Sequence, residues 1–181
     1  MASSRSQQGL TFIELLIAVL VLAIVLILAL PSMRRLLVGS QLRSELSRLQ
    51  LAINSARTEA VSRNAIVTLC PSLYTSRGQL SCEGSFQQGW LMFEDVHGDA
   101  HFDRASDRLI ASFEALPNGF RLVGRQAHAP LASPLSYYPD GSTRHNHTFM
   151  ICPPVDTDLA SLSLVINLVG RPRQVEGWGQ C

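Results

Sequence analysis

The residues of this chain able to do chemistry fall in a few short stretches, the sharpest near its end. Gly170-Arg171-Pro172-Arg173 places two guanidiniums two residues apart. In an extended segment such residues project to the same face. Pro172 fixes φ between them, which lowers the entropy lost in holding the pair in place. It also donates no ladder hydrogen bond, which confines the segment to a sheet edge or a loop. Two guanidiniums held in parallel suit the bridging of adjacent phosphates. The competing arrangement is local, with Arg171 and Arg173 paired to Glu176 or another nearby acid.

The remaining candidates are weaker. Asp95-Val-His-Gly-Asp99-Ala-His-Phe-Asp103 carries acids at four-residue intervals. A calcium loop of the EF-hand kind needs ligands at alternate positions and a Glu at the twelfth, so this stretch reads as a polar turn. His97, His101, His145 and His147 occur in pairs with no Cys or carboxylate at metal-ligand spacing, and read as solvated loop residues. No nucleophile elbow, phosphate loop, dinucleotide fingerprint or catalytic carboxylate pair is present. The composition therefore points away from an enzyme, and no cofactor or metal is implied. Four cysteines, Cys70, Cys82, Cys152 and Cys181, allow three pairings. Their even number suggests disulfides in an oxidising compartment. Cys70–Cys82 would close a short Gly/Ser-rich loop, and Cys152–Cys181 would tie the chain end to a strand. Zinc spacings do not match.

Two very different regions must position these groups. Leu10 to Leu30 is apolar except for Thr11 and Glu14, long enough to cross a bilayer as a helix. It exceeds the apolar core of a secretory signal and lacks a small-x-small cleavage site behind it. The flanking arginines, Arg5 before and Arg34 and Arg35 after, do not favour an outward head, but that count loses authority when a long domain follows. The cysteines carry the orientation and place the head outside. Glu14 is costly in such a helix. Either it meets a cationic amino terminus on a neighbouring copy, as an assembly device, or it snorkels to the near interface.

Beyond Pro31, Leu42, Leu46, Leu49, Ile53, Ala56 and Ala60 alternate at spacings of four and three, one stripe of a helix running to about Asn64. Arg43, Glu45, Arg48, Arg57 and Glu59 flank the stripe on wet faces, and Pro31 is expected to kink the helix. From Ala65 the period changes. Short strand-like runs appear at 65–70, 89–94, 109–113, 120–124, 135–138, 148–152 and 161–168, separated by Gly, Pro and Asn turns. One long helix followed by seven such runs predicts an α+β fold, with antiparallel sheets laid against the helix. The net charge is +1, and all fifteen basic residues are Arg. From residue 64 onward eight Arg face eleven acids. A bulk polyelectrolyte binder is excluded, so any anion site must be local.

Gly9-Leu10-Thr11-Phe12-Ile13-Glu14-Leu15-Leu16 resembles the processing signal of type IV prepilins and of type II secretion pseudopilins. The resemblance implies cleavage between Gly9 and Leu10 by the prepilin peptidase, methylation of the new amino terminus on Leu10, and pairing of Glu14 with a neighbouring subunit's amino terminus. Leu10 stands where the family usually has Phe. In the head, Arg63-Asn-Ala-Ile-Val-Thr-Leu-Cys-Pro71, Cys82, Gly89-Trp-Leu-Met-Phe-Glu-Asp95, Tyr138-Pro-Asp-Gly141 and Gly170-Arg-Pro-Arg173 occur in the order that is similar to the GspH/FimT group of minor pilins. That resemblance implies a type IV pilin-like fold: a leader at 1–9, a transmembrane and filament-core helix at 10–30, an amphipathic helix at 31–63 and a β-rich extracytoplasmic head at 64–181. It implies an inner-membrane subunit with a periplasmic head, assembled with other pilins or pseudopilins into a pilus or pseudopilus. In the FimT branch a G-R-x-R tail is associated with DNA binding in natural transformation, which implicates Gly170, Arg171 and Arg173. The alternative is a structural minor pseudopilin of a type II secretion system that binds no DNA.

Overall fold

The computed structural model describes residues 11–125, 129–179 and 181. Two compact units make up the chain, 1–37 and 38–181. Helix α1 (Phe12–Arg63) supplies the described part of the first and the opening of the second. The apolar side chains at its start are uncovered, Leu15, Leu22 and Leu30 among them, and this is the one helix long and apolar enough to cross a membrane among the described residues. Its first turn is closed by Thr11 and Glu14. Glu14 Oε2 accepts from the Thr11 amide at 2.9 Å and from its hydroxyl at 2.8 Å, while the Glu14 amide reaches Thr11 Oγ1 at 3.4 Å. This is a reciprocal capping box. The helix ends at Asn64, which takes a left-handed φ of 51°. The Ala65 amide then folds back 3.2 Å onto the Ala60 carbonyl, a Schellman closure with Asn in the place more often held by Gly.

The head is α+β. Strands β1 (Val67–Pro71), β2 (Trp90–Glu94), β3 (Arg108–Phe113) and β5 (Leu135–Tyr137) form one antiparallel sheet in the order β3-β2-β1-β5. Strands β4 (Arg121–Val123), β6 (His147–Cys152), β7 (Leu162–Ile166) and β8 (Pro172–Glu176) form a second, also antiparallel, in the order β4-β6-β7-β8. A short helix α2 (Tyr74–Arg77) and a 3-10 turn (Phe86–Gln88) lie between β1 and β2. The strand-like runs of the sequence correspond to β1 to β7. The eighth strand, β8, follows Gly170 and was legible only as an edge or loop segment.

The stripe from Leu42 to Ala60 is buried throughout. It shares one core with Val67 and Leu69 of β1, Trp90 of β2 and Phe149 of β6, so both sheets pack their inner faces toward this part of α1. Burial of each such large side chain stabilises by roughly 1.5–3 kcal/mol. Strand side chains alternate between faces, and the outer faces are covered by pinned segments. On the first sheet, Cys70, Leu91 and Phe93 lie against Tyr74 and Leu80, and Cys70 is joined to Cys82. On the second, Val123, Met150 and Cys152 form a small cluster, and Cys152 is joined to Cys181 at the chain end. Each disulfide thus fastens a segment that a thin, two-layered core could not hold alone.

Candidate functional site

The turn that introduces β8 is built by backbone contacts that only glycine permits. Gly170 has φ +78°, and a Cβ placed on it would lie 2.2 Å from the Gly141 carbonyl oxygen and 2.8 Å from the Tyr137 ring. Its amide donates to the Asn167 carbonyl at 2.8 Å, and its own carbonyl accepts from the buried Tyr137 hydroxyl at 3.0 Å. Burial pushes the Tyr137 hydroxyl pKa far up, which keeps it a neutral donor. From α1, Arg57 Nε donates to the Gly141 carbonyl at 2.9 Å and Nη2 to the Val169 carbonyl at 3.4 Å. Arg57 was expected on a wet face. It is instead half-buried and ties together the Tyr138-Pro-Asp-Gly141 turn and the Gly170 turn. Arg48 departs in the same way, with its guanidinium 4.9 Å from the centre of the Trp90 ring. The sequence signal for Arg57 was present only as Gly141 and Gly170, far apart in the chain.

With the turn set, the parity of β8 decides which way the arginines face. Pro172 and Gln174 lie opposite Ile166 and Leu164, both buried in the core, and Gln174 hydrogen-bonds Gln50 of α1. Arg173 lies opposite Val165 on the outer face. Arg171, two residues before it, shares a shallow groove with Arg173, Val165 and Asn167. The structure therefore brings Arg171 and Arg173 together on one exposed surface. Glu176, offered by the sequence as their local partner, has the opposite parity and lines a groove beside Arg43 and Leu46 of α1. Among the described residues neither Arg171 nor Arg173 makes an ion pair.

The chain end lies over the same outer face. The Gly177 amide donates to Ser161 O at 2.9 Å, and Ser163 Oγ reaches the Trp178 carbonyl at 3.4 Å. Arg121 donates to the carbonyl of Cys181. The guanidinium of Arg125 sits 5.8 Å from the centre of the Trp178 ring, within cation–π range.

The other candidate groups have local roles. Asp95 is buried and accepts from Thr68 Oγ1 at 3.0 Å, the Gly98 amide at 2.6 Å and the Ala100 amide at 2.9 Å. Asp107 takes the amides of Val96 and Asp103 at 3.0 and 2.8 Å. These carboxylates hold their own loop. Among the described residues no group of three or more His, Cys, Asp or Glu is arranged for a metal ion. His147 is half-buried in β6 rather than solvated, and burial, with neighbouring His145, lowers its pKa to about 4. Glu14 closes its own helix turn, as described above. Gly9 and Leu10, the residues of the expected cleavage, lie outside the described residues.

Comparison with known proteins gives this arrangement a setting. The family model described as type II transport protein GspH matches residues 45–170, and the prokaryotic N-terminal methylation motif matches residues 4–30. No curated protein is similar in sequence at a significant level. Among solved structures, the type IV minor pilin FimU of Pseudomonas aeruginosa superposes with a TM-score of 0.54 at 16% identity, covering 76% of this chain and 90% of that one. The minor pseudopilin EpsH of the Vibrio cholerae type 2 secretion system gives 0.52 at 10% identity, covering 75% and 97%. At these identities the likeness is one of fold, a type IV pilin fold. The family match spans most of the chain and stops at Gly170, one residue before the paired arginines. A methylation motif on an uncovered apolar helix, followed by a head that carries the family's sequence pattern through β1 to β7, makes the chain a member of the GspH family, a minor pilin or pseudopilin that assembles with other pilin subunits.

Proposed function

We propose that this protein is a minor pilin that contacts DNA through Arg171 and Arg173 during uptake in natural transformation. Cleavage between Gly9 and Leu10, methylation of Leu10 and pairing of Glu14 with a neighbouring amino terminus would insert it in the filament. Its head then lies in the periplasm, where both disulfides form. The observation that supports the DNA reading is the pair of exposed guanidiniums on one face of an edge strand, turned away from Glu176. They are suited to phosphates rather than to base edges, so binding is expected to be independent of sequence. Two or three phosphate contacts give a salt slope of only about −2 to −3.

The test is a salt-dependent titration of labelled DNA with the full-length chain in nonionic detergent, beside the Arg171→Ala/Arg173→Ala variant. Binding that weakens with salt and disappears in the variant supports the proposal. No binding at low salt leaves the second reading, a structural pseudopilin of a type II secretion system. That reading shares the family match and the fold with the first and differs in giving Arg171 and Arg173 no DNA to hold.

A further inference from the structure

We infer that the surface which the chain end lays over the outer face of the second sheet takes unpaired nucleotides, with Trp178 as the plane on which a base stacks. The inference rests on the DNA reading above and adds the class of DNA. Val123, Met150, Ser163 and Val175 form one continuous row across the four strands on this face. The backbone at Trp178 and Gly179 lies over that row, since the Trp178 carbonyl is bound by Ser163 Oγ and a Cβ built on Gly179 would come 3.2 Å from Met150 Sδ. The adjacent row is Thr148, Val165 and Arg173. Rows on one face of a sheet are about 7 Å apart, close to one nucleotide step in an extended strand. A phosphate held by Arg173 and Arg171 therefore leaves the neighbouring base near the indole, and Arg125, whose guanidinium lies over that ring 5.8 Å from its centre, supplies the next cation beside the stacked base.

Three features separate this tryptophan from an ordinary surface apolar residue. It is 37% exposed, whereas the other tryptophan, Trp90, is fully buried. Its position is held by a covalent anchor three residues on, the Cys152–Cys181 bond. It stands among arginines without a carboxylate on the same face of β8, Glu176 being turned to the other side. Alternation of cations with an aromatic plane is the arrangement by which proteins track single strands. Duplex DNA can use the arginines but not the plane, because its base faces are already covered by stacking.

The experiment uses the full-length chain in nonionic detergent and two probes, a twelve-residue oligothymidylate and a blunt duplex carrying the same number of phosphates. The expected result is roughly tenfold tighter binding of the single strand, within the range of one base–aromatic stack, with quenching of tryptophan emission. The quench reports Trp178, since Trp90 is out of reach. Trp178→Ala should remove the preference and the quench while leaving duplex binding intact, and Trp178→Phe should retain most of the preference. Equal affinity for the two probes, or loss of the preference in Trp178→Phe as well as Trp178→Ala, overturns the inference. If duplex binding still vanishes in Arg171→Ala/Arg173→Ala, the phosphate reading survives that result. Failure of both probes to bind at low salt removes the two together.

Discussion

Replacing Gly170 by alanine tests the account of the arginine turn at its narrowest point. Two costs add. A left-handed φ of +78° costs a residue with a Cβ about 1–2 kcal/mol. The new Cβ would also stand 2.2 Å from the Gly141 carbonyl oxygen, and both partners are backbone in tight turns, so neither can rotate away. Overpacking of this kind adds about 1–3 kcal/mol, for a total of roughly 2–5 kcal/mol. Gly177 is the control. Its φ is +64°, yet nothing lies within 4 Å of a built Cβ, so Gly177→Ala should cost only the conformational part, about 1–2 kcal/mol. The assay is urea unfolding of residues 38–181, the compact unit that contains the entire core, followed by the emission of buried Trp90. The midpoint should fall clearly further for Gly170→Ala than for Gly177→Ala, with similar slopes. Equal losses would mean that the Gly141 carbonyl yields freely and that the close approach does not set the turn.

Other consequences are open to measurement. Burial holds the His147 pKa at about 4, below the ordinary value of 6.5, so the unfolded chain takes up the proton first. Stability from this residue is complete above about pH 6.5 and is lost as pH falls toward 4, by about 3 kcal/mol in all; His147→Gln should flatten that decline in pH-dependent unfolding. Cys152→Ser should expose a single reactive thiol at Cys181, and opening a loop with a sequence separation of 29 should lower stability by about 3.5 kcal/mol on the chain-entropy account. Labelling at Cys70 or Cys82 would contradict the pairing. Arg57→Met should cost about 1–3 kcal/mol through the carbonyls of Gly141 and Val169 left without a donor, whereas Arg104→Met, on an exposed turn, should be near neutral. Gly9→Val is expected to leave the leader attached, visible as a higher mass of the membrane-bound protein, and normal processing would remove the cleavage proposal.

Much of the architecture was legible because it rests on local periodicity. The spacing of Leu42, Leu46, Leu49 and Ile53 is a property of the helix itself, and those residues are buried as a stripe of that spacing must be. The runs that became β1 to β7 carry their own β-branched and aromatic residues between turn signals. Strand β8 lacks that signature, since Pro-Arg-Gln-Val-Glu has little apolar surface. It pairs because β7 offers a free edge and the Gly170 turn delivers it in register, which is tertiary information.

The candidate site divides along the same line. The sequence alone determined that Arg171 and Arg173 share a face, because a period of two is intrinsic to extended backbone. It left open whether Glu176 joined them, although the same parity argument separates them once the segment is known to be a strand. Only the fold decided which face became outer, because that follows from Leu164 and Ile166 of β7 seeking the core beneath α1. Only the fold brought Arg57 under the Gly141 and Gly170 turns and laid Trp178 beside Arg125. Those contacts join residues far apart in the chain through carbonyl positions and a disulfide-held tail. No local pattern records them, because each partner alone is an ordinary arginine, glycine or tryptophan.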